Sequence, residues 1–209
     1  DSVFLDMDGT LLDLNFDNYF WLHYVPEQYA QKNSISIEAA KEKLTSQYKD
    51  IEGTINWYCV DHWTEMLDLD IAVLKQEIMH LIQVHPHVIP FLDCMRKMGK
   101  RVVLVTNAHM KSLSLKMEKT RLGGHFDELI CSHDYGVAKE EQAFWQRLQQ
   151  EQPFDPARTL LVDDSLAVLR SAKRYGIGHL LAVYQPETQQ GRRDVAEFDA
   201  IDTFLDIMP

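Results

Sequence analysis

The sequence predicts an α/β protein built on a doubly wound parallel sheet, with a helical insert after the first strand. Three observations carry this. Short apolar runs rich in Val, Ile and Leu recur at Val3–Leu5, Val102–Val105, Leu129–Cys131, Leu160–Val162 and Leu180–Val183, as expected of strands buried on both faces. Segments of helical periodicity separate the later runs, and strand–helix alternation of this kind gives a parallel sheet covered on both sides. The stretch from Asn15 to His87 breaks the rhythm, holding amphipathic helical patterns and no convincing strand.

Taken in order, Val3–Leu5 runs straight into Asp6-Met7-Asp8-Gly9-Thr10. Within the insert, Ile37–Tyr48 and Ile71–Val84 are the clearest helical patterns. In the second, Leu74, Ile78, Leu81 and Ile82 form one apolar stripe. His85-Pro86 stops that helix, and Pro90 suits the first turn of the next. The expected division is therefore a core of residues 1–14 and 88–209 and a helical domain of residues 15–87. Four core helices follow: Phe91–Met98 before Gly99, Lys111–Arg121 before Gly123, Glu140–Gln149, and Leu166–Tyr175 before Gly176. Each glycine is placed to close its helix in a left-handed conformation. Ala200–Met208 reads as a closing helix.

The 209 residues suffice for a sizeable core. A formal net charge of −11 argues against a nucleic-acid polymer or an anionic membrane as partner, since both need clustered Lys and Arg. A small anion remains admissible where a few lysines and a cation reverse the field within one cleft. Cys59, Cys94 and Cys131 are odd in number and far apart, which points to neither a disulfide framework nor a zinc site. No apolar run approaches the roughly 20 residues that span a bilayer, and the first is too short for a signal peptide. A cytoplasmic location is expected; nothing in the sequence sets an oligomeric state.

The chemistry gathers at predicted strand ends. Asp6 and Asp8 follow the first strand, Thr106-Asn107 the second, Lys139 the loop after the third, and Asp163-Asp164-Ser165 the fourth. The C-terminal edge of an open α/β sheet is where such folds bind ligands. Residues alternate in direction along an extended chain, so Asp6 and Asp8 can face one cleft while Met7 offers backbone. Any one of these motifs could merely cap the next helix, but recurrence at four strand ends makes a site. Four carboxylates cannot stay ionised together unaided, because like charges ~4 Å apart repel by about 4 kcal/mol at an effective dielectric of 20. A hard dication is therefore expected, and all-oxygen ligation beside a phosphate suits Mg²⁺.

The order DxDGT, Thr-Asn, Lys, Asp-Asp resembles the four motifs of the haloacid dehalogenase (HAD) superfamily, spanning Asp6 to Ser165. The resemblance implies a HAD-like Rossmannoid core and a phosphatase with Asp6 as nucleophile and Asp8 as general acid, then base. Thr106 would hold a phosphoryl oxygen, and Lys139 would bridge phosphate and nucleophile. Mg²⁺ would be bound by Asp6, Asp164 and the Asp8 backbone carbonyl, with Asp163 assisting directly or through water. Backbone amides near Met7, Asp8 and Asn107 would be further donors to the phosphate. Superfamily members that cleave carbon–halogen bonds lack the second aspartate, so Asp8 favours phosphorus chemistry. One departure is Glu140 after Lys139, where many relatives carry proline; a small change in loop geometry is expected.

The insert is similar to the helical cap domain of the superfamily's first cap class, which closes over the cleft and favours small substrates. It is rich in aromatic residues. Leu14–Trp21, Asn56–Cys59 and Thr106–His109 look like the corresponding segments of the superfamily's bacterial GMP/IMP nucleotidases. That implies a purine 5′-mononucleotide substrate, GMP or IMP; independently, Asn18, Trp21 and Trp57 are candidate cap contacts, since a ring lining the cleft can stack on a purine and Asn18, like Asn56, can hydrogen-bond a base or ribose. The competing readings are a sugar-phosphate phosphatase, a phosphomutase, and, from another class, a non-catalytic ligand-binding protein on the same fold. His109 and His133 near strand ends read as loop histidines. His23, His62, His80, His85 and His87 show no metal spacing. Arg192-Arg193 reads as a solvated loop pair.

Overall fold

The computed structural model describes residues 1–209. Strands β1 (Ser2–Leu5), β2 (Arg101–Thr106), β3 (Glu128–Cys131), β4 (Thr159–Val162), β5 (His179–Val183) and β6 (Ala200–Ile201) form one parallel sheet in the order β3-β2-β1-β4-β5-β6. The first strand is thus central, between β2 and β4. Leu5 pairs with Leu104 on one side and Val162 on the other, so Asp6 and Asp163, the residues that follow, emerge level at the same sheet edge.

Alternation along the strands sorts the core into two layers. Val3, Leu5, Val102 and Leu104 face α6 (Val88–Lys97) and α7 (Met110–Thr120), through Phe91, Leu92 and Leu113. Phe4, Val103, Val105 and Leu161 face α8 (Gln142–Glu151) and α9 (Leu166–Tyr175), through Phe144, Trp145, Val168 and Leu169. Buried on both faces, the strands need the near-continuous apolar runs the sequence shows.

Between β1 and β2 every regular element is helical. α1 (Asn15–Tyr19) passes through a π turn at Phe20–Tyr24 into α2 (Val25–Asn33). α3 (Ile37–Ile51) follows, capped by Ser36, whose hydroxyl accepts from the Ala39 N–H at 3.1 Å. A 3₁₀ turn at Ile55–Tyr58 leads to α4 (Val60–Leu67) and α5 (Ile71–Glu77). This is the helical cap; the chain returns to the core where Leu12 bridges Val84 and the His85 N–H donates to Leu11 O at 2.9 Å. No helix is long and apolar enough to cross a membrane.

Several elements differ from their expected form. The Ile71–Val84 pattern is not one helix: α5 ends at Glu77, Ile78 leaves helical geometry, and a 3₁₀ turn covers Met79–Leu81. Leu74, Ile78 and Ile82 are nonetheless buried together, so the period was informative and the length was not. Gly123 does not close α7; Arg121 does, at φ +61°, because the chain turns at once to bury Leu122. Gly99 lies one residue beyond the α6 cap, while Gly176 closes α9 at φ +107° as expected. α8 starts two residues late, since Glu140 is held elsewhere. Ala200–Met208 is no helix: Ala200–Ile201 add an edge strand, and a 3₁₀ turn at Phe204–Ile207 is fixed by a capping box between Thr203 and Asp206.

Candidate active site

The turn after β1 is the floor of the site. Gly9 N–H donates to Leu12 O at 2.8 Å and Leu11 N–H to Met7 O at 3.0 Å, folding the chain back sharply. Gly9 sits at φ +82°, and a Cβ there would lie 2.7 Å from the Asp164 carboxylate. Glycine serves both needs: it takes the left-handed conformation and lets the carboxylate approach.

Lys139 joins the strand ends. Its ammonium donates to Asp6 Oδ1 at 2.6 Å, Asp163 Oδ2 at 2.7 Å and Val105 O at 2.9 Å, all buried. Its backbone N–H is held by Asn107 Oδ1 at 2.9 Å. Burial alone would lower the lysine pKa, but Asp163 and Asp6 raise it, so it stays charged. Burial pushes the Asp6 carboxyl up to about 7, against the pull of Lys139. Asp163 spends its other oxygen on the Ser165 N–H at 2.8 Å. Burial, with the charges of Asp6 and Asp163, pushes Asp164 well above the usual carboxylate range.

Asp6, Asp163 and Asp164 each offer an oxygen, and these lie within 4.8 Å of one another. Neither His nor Cys shares this cluster. An all-carboxylate donor set whose members are destabilised by mutual repulsion fits a hard dication. Asp8 is directed away from it, toward Lys116, leaving only its backbone for such an ion.

Lys116 was not visible as a site residue in the sequence. It is buried on α7 and donates to Asp8 Oδ1 and Asp17 Oδ2, each at 2.6 Å; Asp17 Oδ1 in turn accepts from Lys75 at 2.9 Å. Burial, then the Asp17 charge, pushes Asp8 up to about 6 against Lys116. Burial would also raise Asp17, but Lys116 and Lys75 draw it down to about 2. Both lysines occupy positions on apolar helix faces, Lys116 three residues after Leu113 and Lys75 four after Ile71. A cation on a buried stripe was the available signal.

These groups line a cavity of ≈ 320 Å³ between core and cap, which also includes Thr106 and Asn107. The volume sits at the small end for metabolite sites. Thr106 Oγ1 accepts from the Ala108 N–H at 3.0 Å, leaving its hydroxyl proton free to donate. The expected cap contacts Asn18, Trp21 and Trp57 all line the cavity. Asn18 Nδ2 already donates to Glu187 Oε2 at 2.6 Å, and both tryptophans also pack edge-on against Tyr48. Asn56 is exposed and outside the wall. Glu140 ties cap to core, accepting from Tyr58 OH at 2.6 Å and Asn107 Nδ2 at 2.9 Å.

One sequence expectation is corrected. Arg193 is no solvated loop residue: it donates to the Asp164 carbonyl and lies 3.7 Å from its carboxylate, because the loop after β5 folds back over the β4 edge. Arg192 does stay at the surface, paired with Asp202 and stacked on Tyr184. Three residues that the sequence did not group also meet in space. Cys59, His109 and His133 converge from distant segments, which sequence spacing could not show.

The family model for haloacid dehalogenase-like hydrolases matches residues 1–176. The chain is 39% identical over all 209 residues to the GMP/IMP nucleotidase YrfG of Escherichia coli (strain K12), covering 94% of that protein. It is 25% identical over 179 residues to the pyrimidine 5′-nucleotidase YjjG of the same organism, covering 79% of this chain and 77% of that one. In fold it is similar to a HAD phosphatase from Thermococcus onnurineus, with a TM-score of 0.83, 24% identity, and coverage of 99% and 95%. The chain belongs to the haloacid dehalogenase-like hydrolase family.

Proposed function

We propose that the protein is a Mg²⁺-dependent phosphatase that hydrolyses a purine 5′-mononucleotide, GMP or IMP, to nucleoside and phosphate through an aspartyl-phosphate on Asp6. The observation that carries this is the pairing of Asp6 with Lys139 at the floor of a cavity whose roof holds Trp21, Trp57 and Tyr58. The 39% identity to a GMP/IMP nucleotidase along the whole chain supports the substrate.

The chemistry follows from the residues. An Asp6 oxygen attacks phosphorus and the bond to the nucleoside 5′-oxygen breaks, that oxygen taking a proton from Asp8. Asp8, now a carboxylate, removes a proton from the water that attacks the phosphorus of the aspartyl-phosphate. Phosphate departs and Asp6 is restored. An Asp8 carboxyl held near 6 is placed for both transfers. Thr106, the Asn107 and Met7 backbone amides and Lys139 hold the phosphoryl oxygens. Asp6, Asp164, Asp163 and the Asp8 carbonyl would hold Mg²⁺, which when bound would supply positive charge beside the phosphoryl group. Residues 15–87 act as the cap over residues 1–14 and 88–209, excluding water and choosing the leaving group. Three free cysteines accord with a reducing cytoplasm.

The test is phosphate release from GMP, IMP, AMP and several hexose phosphates with Mg²⁺ present. Preference for GMP and IMP is expected. Equal or faster turnover of sugar phosphates would end the nucleotidase reading while sparing the phosphatase chemistry; no release from any monoester would remove both.

A further inference from the structure

We infer that Cys59, His109 and His133 form a second metal site, of zinc-class chemistry, that fastens the cap to the core. Each residue offers one ligand atom, and the three atoms lie within 4.8 Å of one another. They come from three separate segments. Cys59 is the N-cap of α4 in the cap, its sulfur accepting from the His62 N–H at 3.4 Å. His109 is the N-cap of α7, and His133 lies in the turn after β3. The two imidazoles pack edge to face, with centroids 4.9 Å apart.

A second observation points to a ligand. His133 Nε2 is buried and has no hydrogen-bond partner. A buried ring nitrogen left unpaired is costly unless something binds it. One thiolate and two imidazoles select a borderline ion such as Zn²⁺ or Co²⁺, whereas the carboxylates around Asp6 select a hard one. The two sites therefore discriminate between ions.

With metal–ligand bonds of ~2.0–2.3 Å, a tetrahedral ion sets its ligands about 3.3–3.7 Å apart. Lying within 4.8 Å of one another, the three atoms need close by at most about 1.5 Å to reach that range, a movement within side-chain rotation. Asp61, two residues along from Cys59, is the available fourth ligand: its Oδ2 is 3.7 Å from His109 Nε2. It pairs with Lys111 at 2.5 Å, and ligation would exchange that exposed contact for the ion. Coordination through His109 Nε2 takes the tautomer with hydrogen on Nδ1, which releases the 3.3 Å contact Nδ1 accepts from the Lys111 N–H.

The consequence is mechanical. Cys59 adjoins Tyr58 in the cavity wall, and His109 lies two residues after Asn107. An ion joining them would hold the cap against the core without entering the reaction centre. The site uses none of the carboxylates invoked for catalysis, so it stands or falls independently of the proposed activity.

The experiment is titration of the chelator-stripped full chain with Co²⁺ in excess Mg²⁺, which fills the oxygen site. One bound equivalent with a thiolate-to-cobalt charge-transfer band and tetrahedral ligand-field bands is expected, displaced by Zn²⁺. Cys59→Ser should abolish the charge-transfer band while keeping the fold, because serine caps a helix at least as well. His133→Ala should weaken Co²⁺ binding by more than ~10-fold. Absence of a thiolate band in the unaltered chain, or a band undiminished in Cys59→Ser, would overturn the site. So would unchanged affinity in His133→Ala.

Discussion

Lys116 on α7 and Asp8 after β1, 108 residues apart in sequence, meet in an ion pair of 2.6 Å with the lysine almost wholly buried. The same ammonium holds Asp17 of the cap at 2.6 Å. One core lysine thus orients the proposed proton donor and anchors the first cap helix. Lys116→Met would leave two facing carboxylates beside Lys75 alone. The expected loss is about 3–5 kcal/mol of stability, together with most of the phosphatase activity. Thermal unfolding and phosphate release check this, and adding Asp17→Asn should recover stability but not turnover. An unchanged melting temperature in Lys116→Met would show that the pair is not held as described.

Asp6→Asn should lower hydrolysis by at least ~10³-fold, since the amide cannot become an acyl-phosphate. The fold should persist: Lys139 keeps Asp163 and Val105 O as partners, and a buried carboxylate that burial disfavours is removed. Circular dichroism and a phosphate assay decide this together. Turnover retained in a folded variant would mean a different nucleophile.

Gly9→Ala tests the turn. Its φ of +82° and the 2.7 Å approach of the Asp164 carboxylate both oppose a methyl group. The backbone alone should cost about 2 kcal/mol or more, lowering the melting temperature by roughly 4–8 °C in a chain of this size. Activity should fall further than stability, because Asp164 must move. Full activity in Gly9→Ala would show that this approach is not needed.

The depressed Asp17 carboxyl predicts an acid-side loss of stability. Its folded value is about 2 against 3.8 for the free side chain, with Lys116, Lys75 and Asp8 facing it. A depressed pKa contributes stability above the unfolded value and loses it as pH falls through the folded one. The contribution, about 2 kcal/mol, is therefore complete by about pH 5 and mostly lost by pH ~2. Melting temperatures of the unaltered chain and Asp17→Asn should be farthest apart above pH ~5 and converge toward pH ~2. A gap constant across that range would mean that Asp17 does not titrate as stated.

Much of this protein was legible without coordinates. Apolar runs identified five of the six strands because a strand buried on both faces admits little else, and motif order named Asp6, Thr106, Lys139 and Asp163 because parallel topology delivers every strand end to one edge. The sixth strand escaped: Ala200–Ile201 is too short to show a period, and pairing with β5 alone makes it a strand.

Only tertiary structure decided what depends on distance through space. Whether Asp8 faces the other carboxylates or Lys116 is set by how α7 crosses the sheet, and Glu140 meets Tyr58 only because the cap folds onto the core. The gathering of Cys59, His109 and His133 is of the same kind. Local periodicity is a property of neighbours in the chain, so it reveals elements and the edge where they end. Charge pairing and ligand geometry arise between residues the chain separates, and the fold alone brings them within reach.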